Sequence, residues 1–242
     1  MGPRALAVML AAALALIALL ATRPDYAPFL PQLLQGAILT VEITLLGSLL
    51  AIVAGVLAAL ARLYGAAPLR WLATAYVEVF RGTSALVQLF WLFFVLPQFG
   101  VTLAPFLVAV LALGLNIGAY GSEVVRGAIG GVARGQWEAT VALNLTRAQA
   151  LRRIILPQAF VAMIPPWGNL LIELLKMTSL VSLITLADLT FKAQTLNQAT
   201  FKTVPIFTLV LLIYLALSLA LTIALRFAER RASAGLARGR TA

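Results

Sequence analysis

The sequence predicts an all-α membrane protein, a polytopic bundle of about six transmembrane helices. Of the 242 residues, 62% are hydrophobic and only 11% are charged, with a mean hydropathy of +1.02. A soluble domain is about half apolar and about a quarter charged. Six apolar runs are each close to the roughly 20 residues that a spanning helix needs. Each run must be helical, because lipid satisfies no backbone polar group.

These six runs divide the chain into spans, short connections and one long loop. The second run contains Glu42, and the fifth contains Pro157, Pro165 and Pro166, of which the last pair predicts a break in the helix. The predicted spans are residues 5–21, 36–61, 82–104, 105–122, 154–172 and 205–225.

The orientation of the chain follows from its first run and its charges. Residues 5–21 follow Arg4 and would also fit a signal peptide, but the run is long for one and no small-residue cleavage site follows near Thr22. We therefore expect it to be retained. Fourteen of the 18 Lys and Arg residues fall in predicted inner segments and three in outer ones, while Lys176 lies near membrane depth. This bias predicts six crossings with both termini in the cytoplasm.

The residue inventory excludes most enzyme classes. The chain has no cysteine and no histidine, which removes disulfides, thiolate nucleophiles, Cys-type zinc sites and the usual general base near neutral pH. Eight acidic residues remain, and they predict neither a catalytic set nor a metal site. The net charge of +10 would suit nucleic acid. Because the positive-inside bias accounts for it, no nucleic acid partner is expected.

Residues 123–153 form a cytoplasmic loop with five arginines, and loops of this length in compact domains are usually functional. Trp137, Val141 and Leu145 recur at i, i+4 and i+8, which predicts a short helix with one apolar face. Leu143 points to a different side. Either all these side chains pack on the protein's own helix ends, or Leu143 stays exposed as part of a partner-binding surface.

Local signals set the limits of this helix. Glu138 would lie in its first turn, where an acid suits the helix N-terminus. Asn144 suits the left-handed residue at the helix end. A second helix is expected after Thr146, a fair N-cap, and should run into Pro157.

The same loop resembles the EAA loop of ABC-importer permeases. The matching residues are Glu138-Ala139-Thr140, then Asn144, then the I-I-L-P run at 154–157. The family pattern is roughly Glu-Ala-Ala, three residues, Gly, about nine residues, and Ile-x-Leu-Pro. Thr140 replaces the second alanine, and Asn144 replaces the glycine while keeping a left-handed turn possible.

Further motifs, over about residues 36–231, resemble the polar amino acid permeases of that family. Met177 departs from the pattern, which usually has an acid there. The matching motifs are F-R-G-T at 80–83, L-V-Q-L-F at 86–90, Ala119-Tyr120, E-V-V-R-G at 123–127, G-Q-W-E-A at 135–139, Gly168-Asn169 and L-K-M-T-S-L at 175–180.

Within that group, several details look closest to the ectoine and hydroxyectoine uptake permeases. They are T-S-A at 83–85, A-L-N-L at 142–145, L-L-I-E-L-L-K at 170–176 and L-A-D-L-T-F at 186–191.

The resemblance implies a type I ABC-importer fold, with a five-helix permease core and one additional N-terminal helix. Residues 1–34 would hold that helix and an outer loop, residues 35–231 the core with its EAA loop at 123–157, and residues 232–242 a cytoplasmic tail. The implied partners are ABC ATPase subunits, a second permease subunit, identical or homologous, and an outer solute-binding protein. The implied location is a bacterial inner membrane.

The resemblance also implies the function: ATP-driven import of a small polar or zwitterionic solute, such as a polar amino acid or ectoine. No G-x-x-x-x-G-K-[ST] motif is present, so ATP and Mg²⁺ are expected on the ATPase and no cofactor on this chain. The EAA helix would sit in a groove of the ATPase and transmit its closure. The residues implied in ATPase docking are Gly135, Glu138, Ala139, Leu143, Asn144, Leu145 and Pro157.

Polar residues at membrane depth are candidates for the solute path. Glu173 and Lys176 are spaced i, i+3, so they could pair with each other, or one could face a zwitterionic solute. For Gln88 and Asn116 the alternative is hydrogen bonding between helices. Glu42 completes the candidate set.

A secondary transporter or channel without an ATPase partner is the alternative function. It would need its own coupling site, such as buried acids that bind protons. Glu42 and Glu173 are the candidates for such acids, and they support this alternative weakly. It would also leave the apolar cytoplasmic helix unexplained.

Overall fold

The computed structural model describes residues 3–238, with side-chain positions for residues 4–232, and every regular element among them is helical. Short π and 3-10 turns over Trp91–Val95 and Leu96–Phe99 extend α4, and those over Leu151–Ile155 and Thr178–Ile184 flank α8. The α-helices are α1 (Pro3–Ala21), α2 (Leu30–Tyr64), α3 (Ala67–Gly82), α4 (Ala85–Phe90), α5 (Pro105–Gly130), α6 (Arg134–Ala142), α7 (Arg147–Ala150), α8 (Leu156–Met177), α9 (Leu189–Thr200) and α10 (Thr203–Arg238).

The number of possible membrane crossings agrees with the sequence. Within the described residues, five helical segments are long and apolar enough to cross a membrane, namely those built on α1, α2, α5, α8 and α10. A sixth crossing results if α3 and the α4 segment, which meet at a bend of 106°, count as one span. The prediction of an all-α bundle of about six transmembrane helices is confirmed. Residues 239–242, the end of the predicted tail, lie outside the described part.

When the bent pair is counted as one span, the third crossing begins earlier than predicted. Residues 67–82, expected to be an inner loop, form helix α3, and the predicted span 82–104 covers only the second arm of the bent pair. Charged side chains lower the hydropathy of α3 and conceal it in the sequence. Packing stabilises it instead, since Ala73 and Val77 are buried against Ala58 of α2.

The core is built on the close approach of α2 and α5, which run parallel. A Cβ atom added at Gly114 would lie 3.0 Å from the carbonyl oxygen of Gly47, and one at Gly55 would lie 2.8 Å from that of Gly118. Because rising residue numbers on α2 meet rising numbers on α5, the two helices point the same way. Glycine at these positions lets the two backbones come this close.

Helix α8 packs antiparallel across this pair. Gly47 faces Leu174, whereas Gly55, further along α2, faces Trp167. The Trp167 ring fills a slot whose other wall is Gly121 of α5, where any Cβ atom would overlap the ring. The ring therefore wedges three helices together at one level.

The predicted break at Pro165 and Pro166 is wrong. Both prolines lie inside α8, which is continuous from Leu156 to Met177. Both are exposed, so their rings displace no packed side chain, although each removes one backbone hydrogen bond. The neighbouring Trp167 wedge holds the helix against α2 and α5 on the opposite side.

A second apolar cluster joins α2, α9 and α10. Leu33, Leu189, Ile206 and Leu209 are fully buried in it. Helix α1 adds Ile17 and other partly buried side chains at its edge, against α10. Most of the α1 surface stays exposed, so α1 is peripheral to the bundle.

The substitution Gly121→Ala should lower the thermal unfolding midpoint of the purified protein in detergent. The added methyl group would overlap the Trp167 ring, which Gly55 confines from the other side, and overpacking of this kind costs about 1–3 kcal/mol. Gly127→Ala on the same helix is the control, because in the described part of the chain no atom of another element lies within 4 Å of a Cβ added there. Equal midpoints for the two variants would contradict the wedge.

Candidate functional site

Helix α6 carries apolar side chains on two sides. Trp137 packs against the buried cluster of Val125, Ile129 and Ile155 at the ends of α5 and α8. Val141 is 76% exposed and Leu143 is 67% exposed. Val141 therefore does not share the buried face of Trp137 as predicted, because the second-turn position against the bundle belongs to Thr140, which is 3% exposed.

The end of α6 is a fixed turn. Asn144 has a φ angle of 53°, in the left-handed region that its short polar side chain tolerates. The Asn144 N–H donates to the Val141 carbonyl at 2.9 Å, and the Leu145 N–H donates to the Thr140 carbonyl at 3.0 Å. These two bonds make a Schellman motif. The predicted left-handed helix end at Asn144 is confirmed.

A second fixed cap follows directly. Thr146 caps α7 through a reciprocal pair of hydrogen bonds with Gln149, which confirms the predicted N-cap. The chain then continues without a loop through the π turn into α8, with Pro157 in the first turn of that helix. Helix α6 is thus attached to α8 through short, capped connections.

The N-terminal side of α6 differs from the prediction. The helix begins at Arg134, so Glu138 lies in the second turn rather than the first. Glu138 pairs with Arg134 at 3.3 Å, and both side chains are well exposed, so the pair contributes little stability. Gly135 has open space around it, and Ala139 is exposed.

A polar cluster lies at the bend between α3 and α4. Asn116 of α5, only 4% exposed, donates to the Phe80 carbonyl at 2.9 Å and to the Gln88 side-chain oxygen at 3.2 Å. Gln88 in turn donates to the same carbonyl at 2.9 Å and to Thr83 Oγ1 at 2.7 Å. Gln88 and Asn116 therefore bond between helices and satisfy the carbonyl that the bend leaves free.

A polar stripe runs along the free face of α8. Asn169, Glu173 and Lys176 are all exposed at i, i+4 and i+7, a spacing that places them on one side of the helix. Within the described residues, no ion pair joins Glu173 to Lys176. The i, i+3 pair that the sequence allowed is therefore not formed. Asn169 also borders an open groove of about 710 Å³ between α8 and α10.

Glu42 stands apart from the other candidates. It is exposed on α2, whereas Glu173 is exposed on α8. Neither acid is buried, so a proton-coupling pair of the kind that a secondary transporter needs is not assembled from them.

The sequence prediction missed two polar features, one part-buried and one fully buried. Glu123 of α5 accepts a hydrogen bond from Arg62 of α2 at 2.6 Å. Asp188, fully buried, caps α9 by accepting from the Phe191 N–H at 2.9 Å, and its second oxygen has no hydrogen-bond partner among the described residues. An acid directly before the first residue of a helical run was the available signal for this cap.

Residues 51–234 match the family described as the inner membrane component of binding-protein-dependent transport systems. The chain belongs to this family. It is a membrane-spanning transport component rather than an enzyme, as the inventory of residues predicted.

Individual relatives cover most of the chain. It is 44% identical to a probable amino-acid ABC transporter permease of Sinorhizobium fredii, over 80% of this chain and 84% of the relative. It is 38% identical to the glutamine transport system permease of Escherichia coli K12, over 84% and 94%. The crystal structure of an amino acid ABC transporter with histidines superposes with a TM-score of 0.80 at 35% identity, over 85% and 96%. That likeness supports the expected type I permease fold.

The contribution of Asp188 to the stability of the protein should fall as the pH rises from about 4 to 6. Burial raises the pKa of this carboxyl from its ordinary 3.8 to about 6. In this window the folded protein keeps a proton that the unfolded chain has lost, so ionisation favours unfolding, by about 3 kcal/mol in total.

The variant Asp188→Asn tests this dependence, because it keeps a capping oxygen without the charge. Its thermal midpoint in detergent should vary less between pH 4.5 and pH 7.5 than that of the wild type. Asp25→Asn, at an exposed aspartate, is the matched control and should keep the wild-type profile. An Asp188→Asn profile parallel to the wild type would refute the assignment.

Proposed function

We propose that this chain is the permease subunit of an ATP-driven importer of amino acids. The proposal rests on family membership and on relatives named for amino acid, glutamine and L-cystine transport. The observation that carries it is the exposure of Val141 and Leu143 on a helix that is rigidly joined to α8.

The exposed end of α6 is the proposed contact with the ATPase. Val141 and Leu143 leave a patch of apolar surface in water, and such patches mark interaction sites. The turn at Asn144 fixes their direction. Because capped connections join α6 to α8, a displacement of α6 by the ATPase would move α8 with it. ATP and Mg²⁺ would bind to the ATPase. The proposed contact set is Gly135, Glu138, Ala139, Leu143, Asn144, Leu145 and Pro157.

The substitution Leu143→Asp should abolish uptake and weaken copurification with the ATPase, while membrane insertion stays normal. A charge in the centre of an apolar contact must be desolvated without a partner. The control is Leu143→Met, which keeps a similar apolar side chain and should keep uptake near the wild-type rate. Full uptake and full ATPase binding by Leu143→Asp would refute the docking assignment.

Packing and charge together support an orientation with both termini in the cytoplasm of a bacterial inner membrane. Helices α2 and α5 run parallel, and α8 runs against them. This alternation agrees with the predicted spans, and the inner segments then hold most of the arginines. In this orientation α6 is cytoplasmic, and the ion pair of Lys202 with Asp25 is on the outer side.

The free face of α8 is the proposed boundary with the solute path and a second permease subunit. Charged side chains that face lipid at membrane depth are costly, and Glu173 and Lys176 are both exposed there. A second subunit, identical or homologous, would enclose this face in a polar passage. A solute-binding protein would deliver the solute from outside. Residues 35–231 would form the core, after the N-terminal helix in 1–34 and before the tail in 232–242.

The polar stripe suits a solute that carries both charges. Lys176 could meet a carboxylate, and Glu173 a cationic nitrogen. Gln88 and Asn116 are occupied with the α3–α4 bend, so we assign them to support of the path rather than to direct contact. Polar amino acids fit this charge pattern. Ectoine, also a zwitterion, fits it as well, and the resemblance of four motifs to ectoine permeases supports it. These motifs are at residues 83–85, 142–145, 170–176 and 186–191.

The substitution Lys176→Met should reduce uptake at least about tenfold, the effect of losing roughly 1.4 kcal/mol, while basal ATPase activity and assembly stay intact. Uptake of labelled glutamine, cystine and ectoine by proteoliposomes that contain the complete transporter would measure the effect and identify the solute class. Lys192→Met, on α9 outside the spans, is the matched control. Unchanged uptake in both Lys176→Met and Glu173→Gln would place the path elsewhere.

A further inference from the structure

Arg81 is an arginine in the last turn of α3, next to the bend that α3 makes with α4. If this bent pair crosses the membrane, Arg81 lies within the span rather than in the inner loop where the sequence placed it. Its side chain is 37% exposed, and its guanidinium lies 5.5 Å from the centre of the Tyr120 ring.

The Glu123 carboxylate lies within ion-pair distance of three arginines. Glu123 Oε1 accepts from Arg62 at 2.6 Å, and Oε2 accepts from two nitrogens of Arg126 at 2.9 and 2.7 Å. The nearest nitrogen of Arg81 is 3.5 Å from Oε1. In the described part of the chain, Arg81 makes no hydrogen bond, so none of its guanidinium donors has an acceptor there.

The local groups offset only part of the Arg81 charge. Arginine stays protonated in proteins, and a charge at membrane depth without a partner is costly. The C-terminus of α3 supplies about half a negative charge, and the Tyr120 ring adds a modest cation–π attraction. Glu123 is shared with two closer arginines, which leaves the group of four side chains with a net positive charge.

We propose that Arg81 anchors an oxyanion-binding site on the exposed face between α3 and α5. The planar guanidinium can donate two parallel hydrogen bonds to a carboxylate or a phosphate. The oxyanion is either the carboxylate of the transported solute or the phosphate of an anionic lipid. Only the first source rests on the proposed function.

Glu78 provides a matched control for this site. It lies one turn before Arg81 on α3 and is exposed, and within the described residues it forms no ion pair. Its removal changes the local charge without removing the guanidinium. Glu78→Gln should therefore keep the site, whereas Arg81→Gln should abolish it.

The test is thermal unfolding of the full chain in uncharged detergent, with two probes. Phosphatidylglycerol, compared with diacylglycerol, supplies the phosphate, and L-glutamine, compared with its decarboxylated analogue 4-aminobutanamide, supplies the carboxylate. At least one probe should raise the wild-type midpoint by roughly 3 °C at saturation. Arg81→Gln should lose this shift, and Glu78→Gln should keep it.

The two arms separate the two sources, and neither requires ATP or transport. A shift with phosphatidylglycerol alone assigns the site to lipid, and a shift with glutamine assigns it to the solute. If Arg81→Gln does not fold, Arg81→Lys replaces it and should show a smaller shift, because it lacks the planar pair of donors. No shift in the wild type, or an unchanged shift in the Arg81 variant that folds, would overturn the proposal.

Discussion

The structure depends on the close contact of α2 and α5, with Trp167 of α8 wedged against both. Lipid provides no hydrophobic force between helices, so association in a membrane relies on packing of small residues and on interhelical hydrogen bonds. Gly55 and Gly121 supply the space, and the indole ring fills it. Once this wedge is in place, the direction of α8 and the position of its free face are set.

The bend between α3 and α4 follows from the same environment. A helix can break within a membrane only where protein groups satisfy the freed backbone. Here the amides of Gln88 and Asn116 both donate to the Phe80 carbonyl. These two residues therefore hold the bend, and the exposed polar side chains of α8 remain the proposed contacts of a solute.

The segment from α6 to α7 combines exposed apolar side chains with a direct connection to α8. The turn between α6 and α7 is capped on both sides by backbone and side-chain bonds rather than by burial, with Asn144 in the left-handed region and Thr146 paired with Gln149. The segment then continues into α8 with no flexible linker. A surface that exposes Leu143 at one end of such a unit suits a contact whose purpose is to move the helix behind it.

The sequence by itself determined the features that depend on composition and local chemistry: the helical membrane class, the left-handed end of α6 at Asn144 and the N-cap at Thr146. Only the tertiary structure decided those that depend on distant neighbours. Hydropathy concealed α3 because its stability comes from packing against α2. Burial of Asp188 and the contacts of Glu123 with Arg62 and Arg81 arise from residues far apart in the chain. A local sequence pattern does not predict such contacts, because they form only when separate helices pack together.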